Sequence, residues 1–178
     1  QSLPKPLIAV IDLLAQGKLV RAEQICKLFL QKNPRNVEGM RLLSQIALKL
    51  GVLDDAEFLL ESALEFSPNN SRIRIEYIQV LRKRQNYAGA LHQAKVLLEM
   101  DEENPQFQSV FAIEAMQSGD FENALIVFDK ILEKIPEDPV TLTSRGHLLK
   151  TCGEREKAID SYRRAIKKYP GHGEAYFS

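Results

Sequence analysis

Apolar residues recur at helical spacing along the chain in paired runs, each pair joined near a glycine and usually closed by a proline. The pattern returns every 34 residues without insertions. An alanine recurs at the same position in the middle of the second run of every repeat. Glycine occupies the turn position between the two runs in four of the five repeats. The alanines are Ala22, Ala56, Ala90, Ala124 and Ala158, and the turn positions are Gly17, Gly51, Gln85, Gly119 and Gly153. This period predicts a tandem array of helical hairpins.

We expect each repeat to contain two amphipathic helices. The predicted repeats are 3–36, 37–70, 71–104, 105–138 and 139–172, with 173–178 as the start of a sixth. The predicted helices are Pro6–Gln16, Leu19–Lys32, Asn36–Leu50, Leu53–Phe66, Ser71–Arg84, Tyr87–Met100, Pro105–Ser118, Phe121–Lys134, Pro139–Cys152 and Arg155–Tyr169. Glycine caps a helix at least cost, and proline disfavours α geometry in the residue before it. Because no hairpin buries its apolar face alone, the hairpins must stack, and the expected fold class is an all-α solenoid.

The charge balance gives no reason to expect a nucleic-acid partner. The chain holds 24 Lys and Arg against 24 Asp and Glu, so no overall basic excess would attract phosphates. The charge is nevertheless uneven, since residues 105–138 hold 2 basic and 7 acidic side chains and residues 139–172 hold 8 and 3. This alternation predicts local charged patches.

The two cysteines indicate a reducing compartment. Cys26 and Cys152 lie four repeats apart, too far for a disulfide within one stacked array. Free thiols are typical of reducing compartments, so we expect a cytoplasmic protein. No segment reaches the roughly 18 apolar residues that span a bilayer, so no membrane partner is expected.

The repeats resemble the tetratricopeptide repeat (TPR), a helical hairpin of the same length. Repeat five matches best, through Leu142, Gly146, Leu149, Ala158, Tyr162, Ala165 and Pro170. Repeats one and three depart from the pattern, with Val10 and Ile78 at a small position and Cys26 and Ala94 at an aromatic one. The resemblance implies a right-handed superhelix of five hairpins that works as a non-catalytic protein-interaction scaffold.

A narrower resemblance covers the carboxyl-terminal end. The run from Gly146-His147 to Ala175-Tyr176 is similar to the last repeats of bacterial fusions in which a TPR array precedes a sulfotransferase domain. The alternative it implies is a docking or assembly region of a sulfotransferase-type enzyme whose catalytic domain follows Ser178. The chain itself has no phosphosulfate-binding loop, so no catalytic residue is carried over.

The sequence shows no pattern typical of catalysis or of cofactor binding. His92, His147 and His172 fall in three different repeats, and no cysteine or histidine pair has metal-ligand spacing. Cys26 replaces a core aromatic residue and is expected to be an inert buried thiol. We therefore expect neither an enzyme nor a metal or cofactor site in this chain.

The candidate site is a groove, which the TPR resemblance places along the concave side formed by the first helices. The predicted groove residues are Arg41, Gln45, Lys49, Arg72, Gln79, Arg82, Lys83, His147 and Lys150. Basic and amide side chains can bond both the charge and the backbone of an extended peptide, so we expect an acidic or carboxylate-bearing partner. The alternative is that these residues form a solvated polar face. The Lys/Asn clamp that holds chaperone tails in some members is not reproduced.

Both ends of the array are expected to expose apolar surface. In repeat one the groove positions are Leu7, Ile8, Ile11 and Leu14, which a preceding segment or a partner should cover. At the other end, Tyr176 occupies a large apolar position in the incomplete sixth repeat. End-to-end self-association is therefore a hypothesis.

Overall fold

The computed structural model describes residues 3–168, and within that range it contains ten α-helices and no strand. The helices are α1 Lys5–Ala15, α2 Leu19–Lys32, α3 Val37–Leu50, α4 Leu53–Phe66, α5 Ser71–Lys83, α6 Tyr87–Met100, α7 Pro105–Gln117, α8 Phe121–Lys134, α9 Pro139–Thr151 and α10 Arg155–Lys168. The predicted all-α fold class is confirmed. The predicted sixth repeat at 173–178 and the closing Pro170 lie outside the described residues.

The chain forms two compact units, and the division falls within α6. The N-terminal unit is Gln1–Ala90 and the C-terminal unit is Leu91–Ser178. In the N-terminal unit each helix from α1 to α4 packs on the next, and α1 also contacts α3. In the C-terminal unit α7 packs on α8, α8 on α9 and α9 on α10, while α7 also contacts α9. Helices with the same place in their repeats are therefore neighbours in both units.

A polar residue caps four of the five first helices. The side chains of Asn36, Asn70, Asn104 and Asp138 each accept a hydrogen bond from a backbone amide in the first helical turn. Such caps satisfy amides that have no partner inside the helix. They recur with the repeat period, and they explain why α3 begins one residue after the predicted start.

Most helix–helix turns pass through the left-handed conformation that glycine adopts without strain. Gly51 and Gly153, for example, have φ of 79° and 83°. Gln85 occupies the equivalent turn with φ of 61°, and it is the only non-glycine residue with positive φ in the part of the chain described. The backbone therefore keeps the turn geometry even where the sequence departs from glycine.

The repeated alanines lie in the core, as the pattern predicts. Ala22, Ala56, Ala90, Ala124 and Ala158 are all buried. In the first hairpin Ala22 belongs to a cluster with Val10 and Cys26, and in the last hairpin Ala158 packs with Tyr162. Burial raises the pKa of the Cys26 thiol to about 11, which fits the expectation of an inert thiol.

Candidate functional site

All nine predicted groove residues lie on first helices, seven in the N-terminal unit and two in the C-terminal unit. Helix α3 carries Arg41, Gln45 and Lys49, helix α5 carries Arg72, Gln79, Arg82 and Lys83, and helix α9 carries His147 and Lys150. The predicted groove residues thus form two separate sets, one on α3 and α5 and the other on α9.

Arg41 is buried, which corrects the expectation that it lines an exposed groove. Its residue is only 3% exposed. The guanidinium donates to both carboxylate oxygens of Glu38, at 2.8 and 2.5 Å, and to Glu76 Oε1 at 2.9 Å. Two carboxylates offset the penalty of burying one cation, so the side chain links α3 to α5 and is not available to a ligand.

Glu76 is the residue that sequence reasoning missed. Its Oε1 also accepts from Gln45 Nε2 at 3.3 Å and lies 3.7 Å from Arg72 Nε. The expected basic centre therefore contains its own carboxylate. The sequence indicated only the pairs within each helix, because Glu38 precedes Arg41 by three residues and Glu76 follows Arg72 by four. The contact of Arg41 with Glu76 joins two helices and had no such signal.

The ion pairs shift the titration of both partners. Hydrogen bonds from Arg41 hold the pKa of the Glu38 carboxyl below its ordinary value. Burial alone would lower the pKa of Arg41, but the hydrogen bonds and charges of Glu38 and Glu76 outweigh it and raise that pKa. Glu38 and Arg41 are therefore both charged at neutral pH.

The side chains that remain accessible on α3 and α5 are mainly basic and amide. Lys49, Arg72, Gln79 and Lys83 are exposed, while Gln45 and Arg82 are half-buried. Lys49 and Lys83 lie in the last turns of their helices, where a cation interacts favourably with the helix dipole. The exposed part of this surface is therefore cationic, although its base is neutralised.

The two residues of α9 have different surroundings. His147 Nδ1 lies 3.2 Å from the Tyr162 hydroxyl, and the two rings meet edge to face with centroids 5.5 Å apart. Lys150 is exposed and borders a pocket of about 210 Å³ together with Arg155, Ile159 and Tyr162. His147 thus supports the last hairpin, whereas Lys150 faces outward.

The described residues contain neither a group that could hold a metal ion nor a helix that could span a membrane. Within 3–168 no group of three His, Cys, Asp or Glu side chains is placed to hold a metal ion. No helix in that part of the chain has the length and apolarity to cross a bilayer.

Stacked hairpins that carry a polar surface on their first helices define a helical-repeat protein. The family model described as the cytochrome c-type biogenesis protein H TPR domain matches residues 27–141, which is more than half of the chain, and a tetratricopeptide repeat model matches residues 141–172. The chain belongs to this tetratricopeptide repeat family.

Relatives and solved structures agree with this assignment. The TPR repeat-containing protein MJ1345 of Methanocaldococcus jannaschii is 35% identical over 57 residues, which are 32% of this chain and 18% of that protein. The chain thus spans about a fifth of that relative's length. YrrB, a TPR protein described as having an unusual peptide-binding site, has a TM-score of 0.77 at 20% identity, covering 94% of this chain and 86% of its own. MamA from Desulfovibrio magneticus RS-1 has a TM-score of 0.82 at 14% identity, with 94% of each chain covered. These two likenesses show the fold alone.

Proposed function

We propose that the chain is a non-catalytic scaffold that binds an extended, acidic peptide segment of a partner protein on the surface of α3 and α5. The observation that carries the proposal is the row of exposed Lys49, Arg72 and Lys83, with Gln79 beside them, on two helices that Arg41 and Glu76 join through a buried ion pair. The buried pair fixes the two helices, so little conformational freedom is lost when a ligand binds.

The chemistry of the exposed side chains selects the partner. Arg72 can take a carboxylate with two parallel N–H donors, and Gln79 can donate to and accept from a peptide backbone. Glu38 and Glu76 lie at the base of the surface and are already bonded to Arg41. We infer that a carboxylate binds at the exposed rim, near Lys49 and Lys83, and not at the base.

The fold neighbours support this proposal in general terms. YrrB, which shares this fold, is described as a TPR protein with an unusual peptide-binding site. The sulfotransferase-docking alternative has no observation in its favour and stays a prediction, as does the cytoplasmic location.

Selection from a random-peptide display library on the whole chain tests the proposal. Sequences recovered should be enriched in Asp and Glu, and a labelled acidic peptide chosen from them should bind more weakly as salt rises from about 50 to about 500 mM. The triple variant Arg72→Glu, Arg82→Glu, Lys83→Glu should lose this binding.

The control is Lys95→Glu, which reverses an exposed cation on the second helix α6 and should leave the affinity unchanged. Selected peptides without acidic residues, or equal binding by the triple variant and the parent, would show that the ligand site lies elsewhere.

A further inference from the structure

Helix α4 presents an apolar residue between acids on its outer surface. Phe58 is 69% exposed, so most of its ring faces water. Asp55 and Glu61 lie three residues before and after it, so one acid stands about one helical turn away on each side. The helix as a whole carries five acidic and no basic side chains.

A pocket of about 240 Å³ lies beside Phe58. It is lined by Leu43 and Ala47 of α3 and Leu59 of α4, while Glu23 and Lys27 of α2 form an ion pair at its edge. An apolar side chain of moderate size entering here would contact aliphatic groups and would leave water together with Phe58.

Helix α10 has the opposite charge pattern around an apolar residue. Ile159 is 46% exposed, and the exposed Arg155 and Arg163 lie four residues before and after it. Between residues 155 and 167 the helix carries five basic and two acidic side chains. Ile159 also borders the pocket of about 210 Å³ that Ala158 and Tyr162 help to line.

We propose that α10 of one copy binds α4 of a second copy, with Phe58 entering the pocket beside Ile159 and Ile159 entering the pocket beside Phe58. The charges complement each other in sign, and their spacings differ by only about 3 Å. At about 1.5 Å per residue, Asp55 and Glu61 lie about 9 Å apart along α4, and Arg155 and Arg163 about 12 Å apart along α10. Two Arg–carboxylate pairs can therefore flank the apolar contact when the helices cross at a small angle.

The contact joins two different surfaces, so it is heterologous. In a pair, one copy keeps an unused α4 surface and the other keeps an unused α10 surface, so association continues into longer assemblies unless a ring closes. The exposed residues of this contact lie on α4 and α10 and differ from those of the proposed peptide surface, although Leu43 and Ala47 of the pocket lie on α3. Substitutions at Phe58 and Ile159 therefore test the contact independently of the proposed function.

Sedimentation velocity on the whole chain tests the contact. The weight-average mass should rise above the monomer's 20.2 kDa as the concentration increases to about 200 µM in about 50 mM salt. Because the ion pairs are exposed, association should weaken several-fold in about 500 mM salt. Phe58→Asp and Ile159→Asp should each sediment as a monomer over the same range.

Mixing the two variants gives the sharpest result. Phe58→Asp retains an intact α10 surface and Ile159→Asp retains an intact α4 surface. An equimolar mixture should therefore form a dimer that grows no further, because its two remaining surfaces carry the substitutions, and neither variant should form it alone. Ile126→Asp is the matched control, because Ile126 holds the same repeat position as Phe58 and is 57% exposed. It should associate as the parent does.

Three outcomes would overturn the proposal. If the parent protein stays monomeric in low salt, copies of the chain do not associate through α4. A basic segment of another protein would then be the candidate partner of the α4 surface. Association that is lost in Phe58→Asp but kept in Ile159→Asp indicates a contact of α4 with itself. A mixture that remains monomeric excludes the pairing of α4 with α10.

Discussion

The first and the last hairpin solve the same packing problem with opposite choices of residue size. Val10 of the first hairpin and Gly146 of the last hold the same buried position on the first helix of their repeats. The buried positions that face them on the second helix are Cys26 and Tyr162. In the first case both side chains are of moderate size. In the last, a ring fills the space that the glycine leaves. We therefore expect the two positions of a pair to compensate each other in size.

In the last hairpin the glycine and the ring lie in close contact. A Cβ built on Gly146 would lie 2.5 Å from Cε1 of Tyr162 and 2.8 Å from Cδ1 and Cζ. Such distances are far shorter than an ordinary carbon–carbon contact. The ring also meets His147 through its hydroxyl, so it cannot withdraw without losing that partner.

The largest expected effect comes from breaking this pair. Gly146→Val should lower the free energy of unfolding by about 3 kcal/mol, because the added side chain meets the Tyr162 ring in a buried site. Urea unfolding followed by circular dichroism measures the loss.

Adding Tyr162→Cys to Gly146→Val reproduces the Val10–Cys26 solution in the last hairpin. The double variant should be more stable than the sum of the two single losses predicts, with a coupling of about 1–2 kcal/mol. If the losses in the free energy of unfolding were strictly additive, the two positions would not compensate each other in size.

The ion pairs of Arg41 are expected to stabilise the neighbouring first helices α3 and α5 in addition to apolar packing. Arg41→Met should destabilise the protein by about 2 kcal/mol, because it leaves the half-buried Glu38 and Glu76 without their cation. The matched control is Arg72→Met, which removes an exposed guanidinium and should change stability by less than about 0.5 kcal/mol. Thermal melting of both variants distinguishes a buried charge from a solvated one.

The first and last hairpins both have a glycine with positive φ in the turn between their helices, Gly17 and Gly153. The turn at Gln85 has positive φ without glycine. Gln85→Gly should stabilise the protein by about 1 kcal/mol, since it relieves a left-handed conformation in a residue with a Cβ. Gln16→Gly is the control, because Gln16 has φ of −82° and glycine there gains nothing. A loss of urea stability in Gln85→Gly would contradict the strain argument.

The smallest predicted effect concerns acid stability. The pKa of Glu38 is lower in the folded protein than in the unfolded chain, so its contribution is complete above about pH 4.3 and is lost as the pH falls through the folded-state pKa. Glu38→Gln should therefore show a shallower fall in stability between about pH 5 and pH 3 than the parent, by less than about 1 kcal/mol. Equal slopes in urea titrations across this range would exclude the assignment.

The helices were predictable from sequence because their boundaries depend on local chemistry. Glycine at Gly51 and the Xaa-Pro pair at Pro68 act within one or two residues, and the observed ends agree closely with those expected. The size compensation was not predictable in the same way. Val10 and Cys26 each depart from the family pattern when taken singly, and only the packed hairpin shows that the two changes offset each other.

The candidate site was partly predictable. The residues on α3 and α5 could be assigned to first helices from the repeat period, but the burial of Arg41 could not, because it depends on Glu76 from the next repeat. A basic side chain is ordinarily assigned to the surface. Here two carboxylates on different helices make its burial favourable, and that information lies in the tertiary contact.

The different surroundings of the two thiols allow one of them to be labelled selectively. Cys152 is exposed, whereas Cys26 is buried and has a raised pKa. Because thiolate is the reactive form, maleimide at neutral pH should attach a fluorophore to Cys152 alone in the native protein. A single dye would then sit beside α10 without any engineered cysteine, where its anisotropy reports directly on the arrival of a second molecule.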